Sequence, residues 1–235
     1  IIVERDGGVP NATDKQTAIV TNSAPSASGL SAVQPNYCVA GPAATFNWNF
    51  SDPDSGNTQG AYQVQVDNNS DFSSPEVDSG KVSSASNSYA TGSGKLSYNA
   101  TYYWRVKVWD NHDLASGWIS GANLTTPKHA YPTVNFKTLP ASPSVNEATQ
   151  FTDLTTGGTA INGWTWSIPD ATYEPGSNAN SQNPKVKFTS TGTKTIVLVV
   201  KDTDNYQCAN TDTVSSQQSI QIKLSLPGWK ETGGQ

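Results

Sequence analysis

With 235 residues, 34% hydrophobic and 14% charged, the chain has room for one large domain or two of ordinary size and lacks the charge density of a disordered polyelectrolyte. Ser, Thr and Asn make up nearly a third of it, Met is absent, and Lys and Glu form no i,i+4 ladder, so the composition favours β-sandwiches with thin cores over helices. A net charge of −5, a pI of about 4.9 and the lack of a basic stripe point away from nucleic acid, and no apolar run reaches the ~18 residues of a membrane span.

The chain starts Ile1-Ile2-Val3, without Met or a signal peptide, which predicts a portion of a longer exported precursor. Residues 1–23 read as a β-rich run, an acidic turn and a second run: the last hairpin of a preceding sandwich. A lone hairpin is marginally stable in water, so it is expected to dock on this chain or a neighbouring one. Farther on, short alternating runs are divided by Gly, Pro, Asn and Asp clusters roughly every 8 to 15 residues, the rhythm of an all-β sandwich. In "TFNWNF" the period of two turns Phe46, Trp48 and Phe50 inward. In "AYQVQVD" it turns Tyr62, Val64 and Val66 inward and Gln63 and Gln65 outward. In "YYWRVKVWD" Tyr102, Trp104, Val106 and Val108 share the buried face, and Tyr103, Arg105, Lys107 and Trp109 share the other.

Leu96 followed by Tyr102 at the head of "YYWRV" resembles the tyrosine corner of fibronectin type III domains. Trp48 sits where that family keeps its strand-B tryptophan, and "SGWISGANLTT", residues 116–126, resembles its closing strand. The resemblance covers residues 24–127. "YPTVNF" at 131 opens a second unit. "NPKVKFTSTGTKTIVLVVKD", residues 183–202, is similar to the end of a PKD domain, another Ig-like sandwich. Gly192, Ile196, Leu198, Val200 and Asp202 fit that pattern, while Lys194 replaces its tyrosine and the family's Gly-Asp-Gly turn is missing from "WTWSIPD". The fold expected is therefore all-β: two tandem Ig-like β-sandwiches, fibronectin III-like over 24–127 and PKD-like over 128–226, with an N-terminal hairpin tail over 1–23 and a linker over 227–235. Val197 and Val199 are left facing outward.

Sandwich topology assigns loops to poles. The loops at 51–59 and 110–117 share one pole of the first domain, which brings Asp52, Asp54, Asp110 and Asp113 together. Converging carboxylates with loop carbonyls suit calcium, a cation that takes 6–8 oxygens; the alternative is that Asp, Asn and Gly are simply turn residues. Cys38 is expected in a loop of the first domain and Cys208 in a loop of the second, on poles that face each other in a head-to-tail tandem. An interdomain disulfide stiffening the junction follows, the alternative being two unpaired thiols. Tyr103 and Trp109, on the outward face, either cover long charged side chains or pack under a loop; the other reading is a sugar-stacking platform of Trp109 with Trp118. The sequons at Asn11, Asn49, Asn68, Asn99 and Asn123 are no more than a chain this rich in Asn, Ser and Thr yields by chance.

Catalysis finds little support. His112 falls in a loop and His129 in the interdomain linker, neither beside a motif-placed nucleophile, and no phosphate loop, HExxH or dinucleotide fingerprint occurs. The first expectation is a non-catalytic structural and adhesive module of a bacterial surface or secreted protein, contacting protein or glycan at a cell surface. Two others stand beside it: a filament or sheath subunit assembled by strand addition of residues 1–23, and an accessory glycan-binding module of a polysaccharide-degrading enzyme.

Overall fold

The computed structural model describes residues 21–209 and 218–222. Most of the expected N-terminal hairpin, the C-terminal linker at 227–235 and the sequon at Asn11 lie outside these. The described chain is all-β, and none of it forms a helix long and apolar enough to cross a membrane. It divides into two units: residues up to 35 with 42–126, and residues 36–41 with those from 127 onward.

The first unit holds β1 (Ser26–Val33), β2 (Thr45–Ser51), β3 (Gln59–Asp67), β4 (Val77–Asp78), β5 (Val82–Ser83), β6 (Ser88–Ala90), β7 (Thr101–Asp110), β8 (Ile119–Ser120) and β9 (Leu124–Thr125). One sheet runs β1-β2-β6; the other runs β4-β3-β7-β8, with β5 on β3 and β9 on β7. Their inner faces carry the alternation read from the sequence: Phe46 and Trp48 from one sheet, Tyr62, Val64, Val66, Tyr102, Trp104, Val106 and Val108 from the other. Phe46 and Trp104 meet with ring centroids 4.7 Å apart. Full burial of such a side chain contributes roughly 1.5–3 kcal/mol. Three of the buried rings place a polar atom on a partner. Trp48 Nε1 donates to Gln59 Oε1 at 2.9 Å and Trp104 Nε1 to the Ala122 carbonyl at 2.9 Å. The Tyr102 hydroxyl accepts the Ser97 amide at 2.9 Å, directly after buried Leu96, which is the tyrosine-corner geometry.

The stretch expected as the closing strand does pair with β7, in two pieces. Residues 116–126 do not run as one strand: β8 pairs with β7 at Arg105 and Val106, β9 at Thr101 and Tyr102, and the chain steps aside between them. The indole of Trp104 is the cause. A Cβ on Gly121 would lie 2.3 Å from its ring, so a bare backbone has to cross there.

The second unit holds β10 (Phe136–Leu139), β11 (Ala148–Asp153), β12 (Ile161–Ser167), β13 (Ala171–Tyr173), β14 (Lys185–Phe188), β15 (Gly192–Asp202), β16 (Gln207–Ala209) and β17 (Gln218–Ile222). The sheets are β10-β11-β14-β13 and β12-β15-β16, with β17 also on β15. Ile196, Leu198 and Val200 of β15 are fully buried, and Trp166 packs edge-on against Phe136 and Phe151 at 5.1 and 5.3 Å. Lys194 continues the buried face of β15. Its ammonium is met by the Asp170 carboxylate and, at 2.7 Å, by Ser190 Oγ, so a cation stands in the interior only because a carboxylate comes to it. That pairing, with Ser190 as a second donor, holds Asp170 below the usual carboxylate range.

Candidate functional site

On β7 the outward residues are Tyr103, Arg105, Lys107 and Trp109. The antiparallel register sets Gln65 beside Arg105 and Gln63 beside Lys107. Loops deliver Phe72, Lys81 and Trp118 to the same face. Cation and ring then alternate along it. Lys81 Nζ lies 4.9 Å from the Trp109 ring centre and Lys107 Nζ 5.4 Å from it. Lys107 Nζ is also 6.0 Å from Trp118, and the Arg105 guanidinium is 4.5 Å from Trp118 and 4.1 Å from Phe72. Each such contact at a surface contributes about 0.5–1 kcal/mol.

The polar atoms beneath are tied together. Arg105 Nε and Nη2 donate to Gln65 Oε1 at 2.8 and 2.6 Å, while Gln65 Nε2 and Gln63 Nε2 each donate to Asp78 at 2.7 Å. Burial pushes the Asp78 carboxyl up. These amides, the Gly80 N–H and the Arg105 charge outweigh it and hold the group below its ordinary value. The alternation places Trp109 and Trp118 on one face, with Lys107 between them. The expectation that Trp109 covers long charged side chains is met by Lys107, whereas nothing in the sequence around Phe72 signals its place over Arg105.

The four aspartates do not form one cluster. Asp52, Asp54 and Asp110 gather around residues 22 and 23. Asn22 Nδ2 donates to Asp110 at 2.7 Å, Asn57 Nδ2 donates to Asn22 Oδ1 at 2.9 Å and to Asp52 at 3.4 Å, and the Ser23 amide donates to Asp54. Asp110 also accepts the amides of Leu114 and His112 at 2.8 and 2.9 Å; these donors and Asn22 overcome burial and lower its pKa. Asp113 stands apart in an ion pair with Lys81. Apart from Asp52 Oδ2, which is buried without a hydrogen-bond partner, the oxygens of Asp52, Asp54 and Asp110 bond turn amides and residues 22, 23 and 57, and among the described residues no group of three or more His, Cys, Asp or Glu is arranged to hold a metal ion. The calcium expectation gains no ligand set here.

Cys38 and Cys208 are bonded to each other, with Cα atoms 5.6 Å apart. Cys38 lies in the β1–β2 connection, as expected, within the stretch 36–41 that groups with the second unit; Cys208 departs from the expected loop and is buried within β16. The β15–β16 turn beside it gathers a further cluster. Asp202 is fully buried and accepts the amides of Asp204 and Tyr206 at 3.0 and 2.9 Å. Asp204 takes Lys128 Nζ at 2.7 Å and His129 Nε2 at 3.0 Å, and Tyr206 stacks on Tyr131 at 4.4 Å. The Ala130 carbonyl on Nδ1, followed by Asp204 and Asp202, raises the His129 pKa against the opposing effect of its partial burial. His129, read from sequence as a linker residue, is thus held within the second unit.

The outer face of β12-β15-β16 carries a depression of about 370 Å³ whose lining includes Trp164, Asn180, Val199, Lys201 and Gln207. No carboxylate, imidazole or thiol lines it, so it offers no acid–base pair.

Residues 34–128 match a family model described as the Rha78A-like, N-terminal immunoglobulin domain, and the first unit is an Ig- or fibronectin III-like module. Among solved structures, the chain is similar to Streptomyces avermitilis α-L-rhamnosidase complexed with L-rhamnose at 19% identity, covering 89% of this chain and 27% of that one with a TM-score of 0.39. It is similar to the α-L-rhamnosidase of Dictyoglumus thermophilum at 15% identity, over 83% of this chain and 30% of that one, TM-score 0.38. It is also similar to the fibronectin(III)-like modules of Clostridium thermocellum CbhA at 13% identity, over 83% and 93%, TM-score 0.34. The chain spans under a third of the length of either rhamnosidase, and likenesses at these scores assign no role. No curated protein sequence matches it.

Proposed function

We propose that this segment is a non-catalytic accessory β-sandwich module of an extracellular glycoside-hydrolase-type protein, with the cation–aromatic face of the first unit as its carbohydrate contact. The observation that carries the reading is the match of residues 34–128 to the N-terminal immunoglobulin domain of Rha78A-like proteins. Half-exposed Trp109 and Trp118 on one sheet face support a glycan contact, because indoles stack on the apolar faces of sugars. The disulfide supports an oxidising compartment. The second unit is read as a PKD-like spacer, on the Gly192-to-Asp202 pattern of β15.

An adhesive role at a cell surface rests on the same fold and gains no residue of its own. Strand addition by residues 1–23 concerns residues mostly outside those described. The test is affinity electrophoresis of the full chain through gels carrying a panel of neutral and acidic polysaccharides. Retardation by at least one polymer, abolished in a Trp109→Ala/Trp118→Ala variant that melts like the parent, is the expected result. Unchanged mobility in every gel would refute the glycan contact.

A further inference from the structure

Charge is the part of the cation–aromatic face that its packing does not account for. The described first unit has eight carboxylates and four cations, and three of those cations, Lys81, Arg105 and Lys107, stand on this one face. Lys81 is neutralised by Asp113. Arg105 spends two donors on an uncharged acceptor, the Gln65 amide oxygen, and Asp78 nearby has its oxygens taken by Gln63, Gln65 and Gly80. Among the described residues neither Arg105 nor Lys107 has an ion-pair partner. Two like charges on the same face of one strand, a single residue apart, repel each other, and the ring quadrupoles offset this only in part.

Resting on the accessory-module reading, we infer that this face binds a polysaccharide carrying isolated carboxylates, a uronic-acid residue flanked by neutral sugars, through Arg105 and Lys107 with Trp109 and Trp118. A neutral sugar stacking on either indole competes with the cations already at the rings. A carboxylate does not compete. It takes the outward donors of Arg105 and the ammonium of Lys107, and both cations keep their rings. Only two cations on this face lack an ion-pair partner among the described residues, the Asp78 carboxylate lies near Arg105, and the unit around them is acidic, so a densely charged polyanion such as nucleic acid meets repulsion beyond the first contact.

The experiment uses the full chain in affinity gels containing polygalacturonan of graded methyl esterification, which varies charge on a constant backbone. Retardation is expected in the partly esterified polymer and little in the fully esterified one, fading as salt rises. Lys107→Gln and Arg105→Gln are each expected to weaken it about tenfold, with melting temperatures near the parent's as the control for folding. Equal retardation at every degree of esterification, or full affinity in Lys107→Gln, overturns the carboxylate assignment while leaving a glycan contact standing. Equal retardation by single-stranded DNA also overturns it, in favour of unspecific polyanion binding. No retardation by any polymer, in a chain that melts normally, overturns both this inference and the reading beneath it.

Discussion

The two sandwiches put their polar chemistry in different places. The first distributes it over a sheet face, where Arg105 and Lys107 lie against rings and a neutral amide, and closes its interior with Trp48, Trp104 and Tyr102. The second gathers a dense part of it at the β15–β16 hairpin, where Asp202, Asp204 and Tyr206 hold Lys128, His129 and Tyr131 and where Cys208 carries the covalent bond, and buries a further ion pair at Lys194 and Asp170. Both interiors are packed with rings, which respond to neither redox state nor pH near neutrality; the second unit adds a disulfide and a His–Asp cluster, which do. Unfolding experiments that perturb one region at a time therefore separate them.

Removing the disulfide is expected to have the largest effect. With the first unit folded, unfolding the second releases a tethered loop of about 80 residues, so the Cys38→Ser/Cys208→Ser chain should lose about 4.5 kcal/mol in the chain-entropy model. Denaturant titration should show the second unit's transition moving to lower concentration and the first unit's staying. A shift of both by the same amount would collapse the distinction. Trp104→Ala should produce the mirror image, destabilising the first unit by about 3–5 kcal/mol because the cavity opens between both sheets, with the second unit's transition unmoved. Gly121→Ala should cost the first unit about 1–3 kcal/mol by forcing the β8–β9 crossing off the Trp104 ring, visible as a lower melting temperature with unchanged far-UV dichroism.

The smallest effect is that of pH on the second unit. The His129 pKa is raised in the folded state, so its contribution is fully present below the ordinary histidine value and is lost as pH climbs through the raised one. The groups facing it are Asp202, Asp204, Lys128, Tyr206 and the Ala130 carbonyl. Asp204 is held below its usual value by Lys128 and His129, so this partner stays ionised through mildly acidic pH. Thermal melts of the parent and of His129→Gln should differ most near pH 5.5 and converge above neutrality. A gap that widens toward alkaline pH would contradict this sign.

Much of the interior was readable from local pattern. The alternations in β2, β3, β7 and β15 each name their buried face, and Leu96 with Tyr102 marks the corner, because these signals lie within a few residues of one another. The closing strand at 116–126 is found on β7; its interruption at Gly121 was not legible, since it lies against the Trp104 ring, some 17 residues earlier in the chain. The four aspartates were grouped by pole alone. Asn22 takes Asp110, Ser23 takes Asp54 and Asn57 takes Asp52, while Lys81 draws Asp113 away.

What the sequence by itself determined is the all-β class and the inward or outward sense of each long strand, because a period of two is a property of the backbone that any pairing preserves. Tertiary structure alone decided which outward residues meet: Arg105 with Phe72 and Trp118, Lys107 with two indoles, His129 with Asp204, and residues 36–41 with the second unit. Those contacts depend on register and on loop paths between residues far apart in the chain, where side-chain packing and charge select one arrangement among many that the same local rhythm permits.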